Sequence, residues 1–349
     1  MGISSSDLKK VSRKVSKKHG SVSGGATAVT FSYYFCFALL LLLALPLLLF
    51  KKKARAGFSE KLGIIPGRIK SKQRQLAGCL WFHAVSVGEF NAVFPLIKAF
   101  KKEHPAAGLV VSTTTGTGQA LAREKCRDLA EVIYFPYDTY FAVQSWLVAI
   151  NPALFVIVET EMWPGLISQC KSRGVPVVIV NGRISPRSYK SYRRIKPFFN
   201  RYVKLIDRIG AQTSNEAERY KSLSDGAVPV DIMGNLKCDG LKPKAQEEIN
   251  QLRTNLQLDS DDLVFIAGST HESEEAAVLG AYTQVLKLMP EKTIRLIIAP
   301  RHPQRFDRAA ELIKGAGFTV LRHSKAERFK NDFDVYLIDS IGPSKVAIP

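Results

Sequence analysis

Short runs that are apolar throughout alternate along this chain with longer stretches in which apolar residues recur every three or four positions. The first rhythm is that of strands buried on both faces, the second that of amphipathic helices. Strands are expected at residues 80–85, 108–115, 131–138, 153–160, 176–184, 208–214 and 230–237. Helices fill the spaces between, as in 88–104 and 117–130. A charge-dense stretch, 238–262, interrupts the alternation. It restarts with strands expected at 263–270, 294–300, 318–324 and 334–340. Apolar strands separated by helices build a parallel sheet covered on both sides. The expected fold class is therefore α/β, two Rossmann-like domains in series with a cleft between them.

One apolar run does not fit that rhythm. "FSYYFCFALLLLLALPLLLF" (31–50) holds no charged residue, and about 20 apolar residues suffice for one helical crossing of a bilayer. "KKKAR" (51–55) follows it directly, whereas only Lys17 and Lys18 lie in the fifteen residues before it. By the positive-inside rule the downstream bulk stays cytoplasmic. Cleavage at "ARA" (54–56) is the rival reading, disfavoured by the length of the run and the lysines before that site. The expected organisation is a basic tail (1–30), a transmembrane anchor (31–50), a first domain (58–237), a linker (238–262) and a second domain (263–349).

Charge sharpens this picture. Fifty Lys and Arg against thirty-one Asp and Glu leave a formal charge of +19, which points to an anionic partner. Six of those cations fall within residues 9–18, and the cluster at 51–55 adjoins the apolar run, so an anionic membrane surface is the expected partner. No aromatic-rich RNA motif accompanies them, and no nucleic acid is expected. The five cysteines show no CxxC spacing, which fits neither a zinc site nor a disulfide framework. P-loop and GxGxxG patterns are absent.

In open parallel sheets the reactive groups sit past the carboxyl ends of the strands. Glu89 follows the first strand at the start of a helix, where the macrodipole favours its charge by about 0.3–1 kcal/mol. Two roles stay open for it: ordinary helix-start chemistry, or a general base beside the permissive Gly88. "ETEMWP" places Glu159 and Glu161 two apart, on one face if the strand continues; one of them capping the following helix is the alternative. Arg183 and Arg187 follow the fifth strand and Lys237 the seventh, all suited to phosphate. In the second domain "AGSTHESEE" offers a Gly-Ser turn around Ser269 as an anion site. "APRHPQRF" presents Arg301 and His302 past a strand, with an Arg there serving as clamp or as scaffold. His271 and His302 do not make a metal site.

Taken together, "WFHAVSVGE", "TTTGTGQ", "FPYD", "ETEMWPGLI", "NGRIS", "GNLKCD", "STHESEE" and "APRHPQRF" resemble, in order, the motifs of bacterial 3-deoxy-D-manno-octulosonic acid (Kdo) transferases specific for lipid A. The match runs from about residue 58 to 342. The resemblance implies a GT-B glycosyltransferase at the cytoplasmic face of the inner membrane. Its reaction would move Kdo from CMP-Kdo to a lipid A precursor, lipid IVA, in lipopolysaccharide assembly, with no cofactor and no metal. It implies Glu89 as proton acceptor and Glu159 and Lys237 as transition-state stabilisers. Pro300 and Arg301 would contact CMP, with Ser269, His302, Ile341 and Gly342 in the same donor-binding set. Glu161, Arg183 and Arg187 are the acceptor-binding candidates. After "LIDSIG" (337–342) the family continues with an acidic residue and a Gly-rich, nucleotide-gripping segment, whereas this chain reads "PSKVAIP". An incomplete, C-terminally truncated second domain is therefore expected. Two alternatives follow: an inactive membrane-anchored remnant that keeps acceptor binding, or another GT-B enzyme of lipid A assembly using a UDP-sugar.

Overall fold

The computed structural model describes residues 24–50, 55–239, 245–256, 258–259, 261–325 and 333–340. The tail 1–23, Ile341, Gly342 and the residues after them lie outside the described residues, as does part of the expected linker. The chain divides into two compact units, Met1–Leu241 and Lys242–Pro349.

In the first unit, seven described strands form one all-parallel sheet in the order β3-β2-β1-β4-β5-β6-β7. They are β1 Leu80–His83, β2 Leu109–Thr113, β3 Glu131–Tyr134, β4 Leu154–Val158, β5 Val177–Gly182, β6 Arg208–Ala211 and β7 Val230–Ile232. Side chains of a strand alternate between its faces, and both faces here are apolar. Trp81, Phe155 and Ile157 enter one core with Trp146, Ile167, Val203 and Tyr220. Phe82, Val156 and Val158 enter the other with Phe90, Val93 and Ile97. A large side chain buried completely in this way contributes about 1.5–3 kcal/mol. The second unit repeats the design in β8 Leu263–Thr270, β9 Ile294–Pro300, β10 Val320–Arg322 and β11 Val335–Leu337. These strands are parallel in the order β10-β11-β9-β8, with apolar clusters on both faces.

Most described strands end two or more residues before their expected bounds, and three of those early ends bear on the site. β4 stops at Val158 because Glu159 takes a left-handed conformation, φ 64°. Glu159 and Glu161 are thus not related by strand alternation, contrary to the expectation for a continuing strand. β5 stops at Gly182, after Asn181 at φ 56°. β7 stops at Ile232, Gly234 turns the chain at φ 81°, and Lys237 lies in a short helix, Leu236–Asp239, rather than at a strand end.

The N-terminal helix, α1 (Gly24–Phe50), is continuous over 27 residues. Its side chains are described without a gap only over 32–44. Among the described residues no helix is long and apolar enough to cross a membrane. α1 packs onto the first unit through its first half. Tyr33 donates to Asp138 Oδ2 at 2.7 Å and Tyr34 to the Gly165 carbonyl at 3.0 Å. Phe35, Leu39, Leu40, Leu42 and Leu43 of α1 are exposed.

Candidate active site

Glu89 stands in the first turn of α2 (Val87–Glu103), and the local sequence explains why. Ser86 accepts from the Glu89 N–H, while the Glu89 carboxylate accepts from the Val85 N–H at 2.7 Å and from the Ser86 hydroxyl at 3.2 Å. This is a reciprocal capping arrangement. The helix-start role open in the sequence is therefore present, and the environment adds a second property. Burial pushes the Glu89 carboxyl up to about 7, against the Val85 N–H, and the charges of Glu159 and Glu161 push the same way. Both of those carboxylates thus lie within electrostatic reach of Glu89, past β1 and β4.

Glu159 is positioned by its own backbone and by what it pairs with. A non-glycine residue at positive φ costs about 1–3 kcal/mol, and such strain concentrates at functional positions. The Glu159 N–H donates to the Val180 carbonyl at 2.9 Å, and its carboxylate pairs with Lys237 Nζ at 3.0 Å. Glu161 lies two residues on, its carboxyl raised by burial. Glu159, Glu161 and Arg183 line a cavity of about 580 Å³ with Ser185, Tyr192 and Tyr33. Arg187 is exposed on the helix Pro186–Arg194 and is not among the residues lining that cavity.

Neither glutamate of "ETEMWP" caps the helix that follows. α3 (Pro164–Ser172) has Trp163 at its cap position and no side-chain bond from it. Its first amides, Gly165 and Leu166, donate instead to the wholly buried Asp138 at 2.8 and 2.7 Å. Burial pushes the Asp138 carboxyl up to about 6, against the hydrogen bonds from Tyr33 and the two amides.

In the second unit Ser269, Pro300, Arg301 and His302 come together. They line a cavity of about 480 Å³ with Ala299, Ile338 and Ser340. Ser269 sits at φ 59° and the Arg301 N–H donates to the Thr270 carbonyl at 3.0 Å, fixing the two strand ends side by side. The His271 and His302 rings meet edge to face, centroids 5.7 Å apart. The Arg301 side chain is exposed.

Two positioning groups escaped the sequence reading. Asn181 is fully buried and accepts from the Leu236 N–H at 3.0 Å, tying the turn that carries Lys237 to the end of β5. An Asn at a strand end tolerates positive φ, which was the available signal. Arg305 pairs with the buried Glu275 at 2.8 Å, joining "STHESEE" to "APRHPQRF". Burial works against the Glu275 charge, but Arg305, the backbone and Thr270 hold its carboxyl below the usual range. No spacing rule links residues thirty positions apart.

Parallel sheets whose ionisable groups gather past the carboxyl ends of the strands define a doubly wound α/β protein. Comparison with known proteins narrows the class. The model of the 3-deoxy-D-manno-octulosonic-acid transferase (kdotransferase) family matches residues 56–240, more than half of the chain, which belongs to that family. A 3-deoxy-D-manno-octulosonic acid transferase of Haemophilus influenzae is 33% identical over 75% of this chain and 61% of its own length. One from Chlamydophila psittaci is 26% identical over 92% of this chain and 73% of its own. The chain thus spans about three fifths of the Haemophilus relative. Among solved structures, UDP-GlcNAc 2-epimerase from Neisseria meningitidis bound to UDP-GlcNAc aligns with 75% of this chain and 72% of its own. The TM-score is 0.51 at 13% identity, a likeness of fold alone.

Proposed function

We propose that this chain is a GT-B glycosyltransferase that moves Kdo from CMP-Kdo onto a lipid A precursor. The observation that carries the reading is the group at the strand ends of the first unit. A half-buried carboxyl with affinity for protons near neutrality stands beside two further glutamates, one of them paired with lysine. A general base works best when its pKa lies near the working pH. Glu89 takes the proton of an acceptor hydroxyl, and the freed oxygen attacks the anomeric carbon of Kdo. The bond from that carbon to the CMP phosphate breaks, and CMP leaves with the bonding pair. The Glu159–Lys237 pair holds fixed charges beside the reacting centre, where preorganised groups do most to stabilise a transition state. In the second unit Arg301, Pro300, Ser269 and His302 form the wall that takes the CMP phosphate.

The 580 Å³ cavity takes the acceptor, with Arg183 toward its phosphate and Glu161 toward its sugar hydroxyls. Membrane attachment belongs to the same reading. With Tyr33 and Tyr34 packed on the first unit, the uncharged run 31–50 attaches the chain from the cytoplasmic side without crossing, and "KKKAR" beside it meets anionic headgroups.

Glu89→Gln, assayed with CMP-Kdo and a diphosphorylated acyl-disaccharide, tests the chemistry. Loss of turnover by at least about 100-fold with CMP-Kdo affinity retained is expected for a general base. Turnover equal to the wild type refutes the assignment. Product from a labelled UDP-sugar, with none from CMP-Kdo, replaces the donor.

A further inference from the structure

Two tyrosines stand in the uncharged run of α1, and both bond to the first unit. The Tyr33 hydroxyl donates to Asp138, whose carboxylate at the same time accepts the first amides of α3. That helix begins three residues after Glu161. The Tyr33 ring packs against Phe198 and Tyr202, centroids 6.1 and 6.3 Å away, and with them forms a wall of the cavity that holds Glu159, Glu161 and Arg183. Tyr34 accepts from Gln169 Nε2 at 3.2 Å while donating to Gly165. The approach needs a glycine: a Cβ on Gly165 would fall 2.5 Å from the Tyr34 ring and 2.7 Å from Asp138 Oδ1. So close a fit is not what a tether requires. A helix whose only task is to hold the chain at a membrane needs an apolar surface and no particular side chain.

We propose that Tyr33 is a positioning residue for the acceptor: through Asp138 it fixes the segment that carries Glu159 and Glu161, and its ring closes the acceptor cavity. The inference rests on reading that cavity as the acceptor site. It makes the helix part of the site, so that the segment carrying the membrane attachment also supplies a wall of the acceptor cavity. Asp138 thereby joins two elements distant in sequence, Tyr33 at its Oδ2 and the Leu166 amide at its Oδ1. Loss of the Tyr33 hydroxyl leaves a buried carboxylate short of one donor, and its effect reaches the glutamates through the start of α3.

The test measures binding of a synthetic tetra-acylated, diphosphorylated glucosamine disaccharide to the full chain in mixed detergent micelles. Four proteins are compared: wild type, Y33F, a chimaera in which 24–50 is an unrelated uncharged helix without tyrosine, and that chimaera with Tyr restored at position 33. A hydrogen bond to a charged group is worth about 1.5–3 kcal/mol, so Y33F is expected to weaken binding about tenfold. The tyrosine-free chimaera should weaken it at least as much, and the restored tyrosine should recover most of the loss. A helix that served only stability or tethering would not be rescued by one hydroxyl. Equal affinity for wild type, Y33F and the tyrosine-free chimaera overturns the proposal while leaving the acceptor reading intact. Absence of binding by the wild type overturns both. Should Y33F fail to fold, the two chimaeras decide the matter alone.

Discussion

On the proposed reading Glu89 does two jobs at one position, and a proton titration separates them. As a capping residue it needs only to accept from the Val85 amide and Ser86; as a base it must be ionised when the acceptor arrives. Its carboxyl is raised to about 7, burial being the largest cause, so the pH-rate profile for transfer should climb through about pH 7 and level off above it. A carbon-13 titration of the side-chain carboxyl should show the same midpoint without any turnover. Glu161→Gln removes one of the charges that push Glu89 upward, and should therefore move that midpoint down. A midpoint near 4.5 in the wild type would show that the carboxylate is solvated and would end its candidacy. The sign for stability runs the other way. A carboxyl that binds protons more tightly folded than unfolded lowers stability as pH rises, here between about 4.5 and 7. Glu89→Gln should flatten that fall in urea denaturation. At this scale the sequence was informative wherever chemistry and spacing coincide. Glu89 was legible because an acidic residue opens the helix that follows an apolar strand. The partnership of Glu159 with Lys237 was not, because it depends on two positive-φ turns, at Glu159 and Gly234, that no periodicity announces.

Elements followed their apolar periods closely, since strands buried on both faces leave little doubt about type, and they departed where long-range bonds decide the ends. Asp138 closes "FPYD", yet the amides it caps are more than twenty-five residues downstream. A reader of sequence sees an acidic residue after a strand and cannot see the helix it holds, so the cap of α3 was looked for in "ETEMWP". Replacing Asp138 by alanine leaves two buried amides and the Tyr33 hydroxyl without their acceptor. Each unsatisfied buried group costs about 1–3 kcal/mol, so a loss of about 3 kcal/mol or more is expected in chemical denaturation. A change below about 1 kcal/mol would mean that water replaces the carboxylate. Gly57 offers a second test of packing between elements. It sits at φ 68°, and a Cβ there would lie 1.9 Å from the Tyr134 ring. Gly57→Ala combines overpacking with a strained backbone and should cost about 2 kcal/mol, read as a lower midpoint at unchanged denaturant slope. His83, buried and stacked on Phe135 at 3.6 Å, illustrates the opposite outcome. Burial lowers it to about 3, so a residue type that often signals catalysis stays neutral at the end of β1 and contributes packing.

At the scale of the whole molecule the proposed function calls for two kinds of membrane attraction on one chain, and salt tells them apart. On that reading the formal charge of +19 draws the protein toward anionic lipid, with Lys190, Arg193 and Arg194 on the helix Pro186–Arg194, which buries no side chain, contributing. Cations held near an anionic surface are worth about 1 kcal/mol each, an attraction that reaches only about one Debye length. That length shrinks from about 10 Å at 0.1 M salt to about 3 Å at 1 M. Insertion of an uncharged run of twenty residues is indifferent to salt, because it rests on the transfer of hydrocarbon surface out of water. The full chain should therefore float with vesicles of zwitterionic as well as anionic lipid, and should stay with them in 1 M salt. A variant lacking residues 1–54 should bind anionic vesicles alone and be released as salt rises. Reversing Arg193 and Arg194 to glutamate should weaken that residual binding by about tenfold or more while leaving the full chain membrane-bound. Release of the full chain by salt would remove the anchor from the proposed function. The acceptor would then have to be extracted to a surface-bound enzyme.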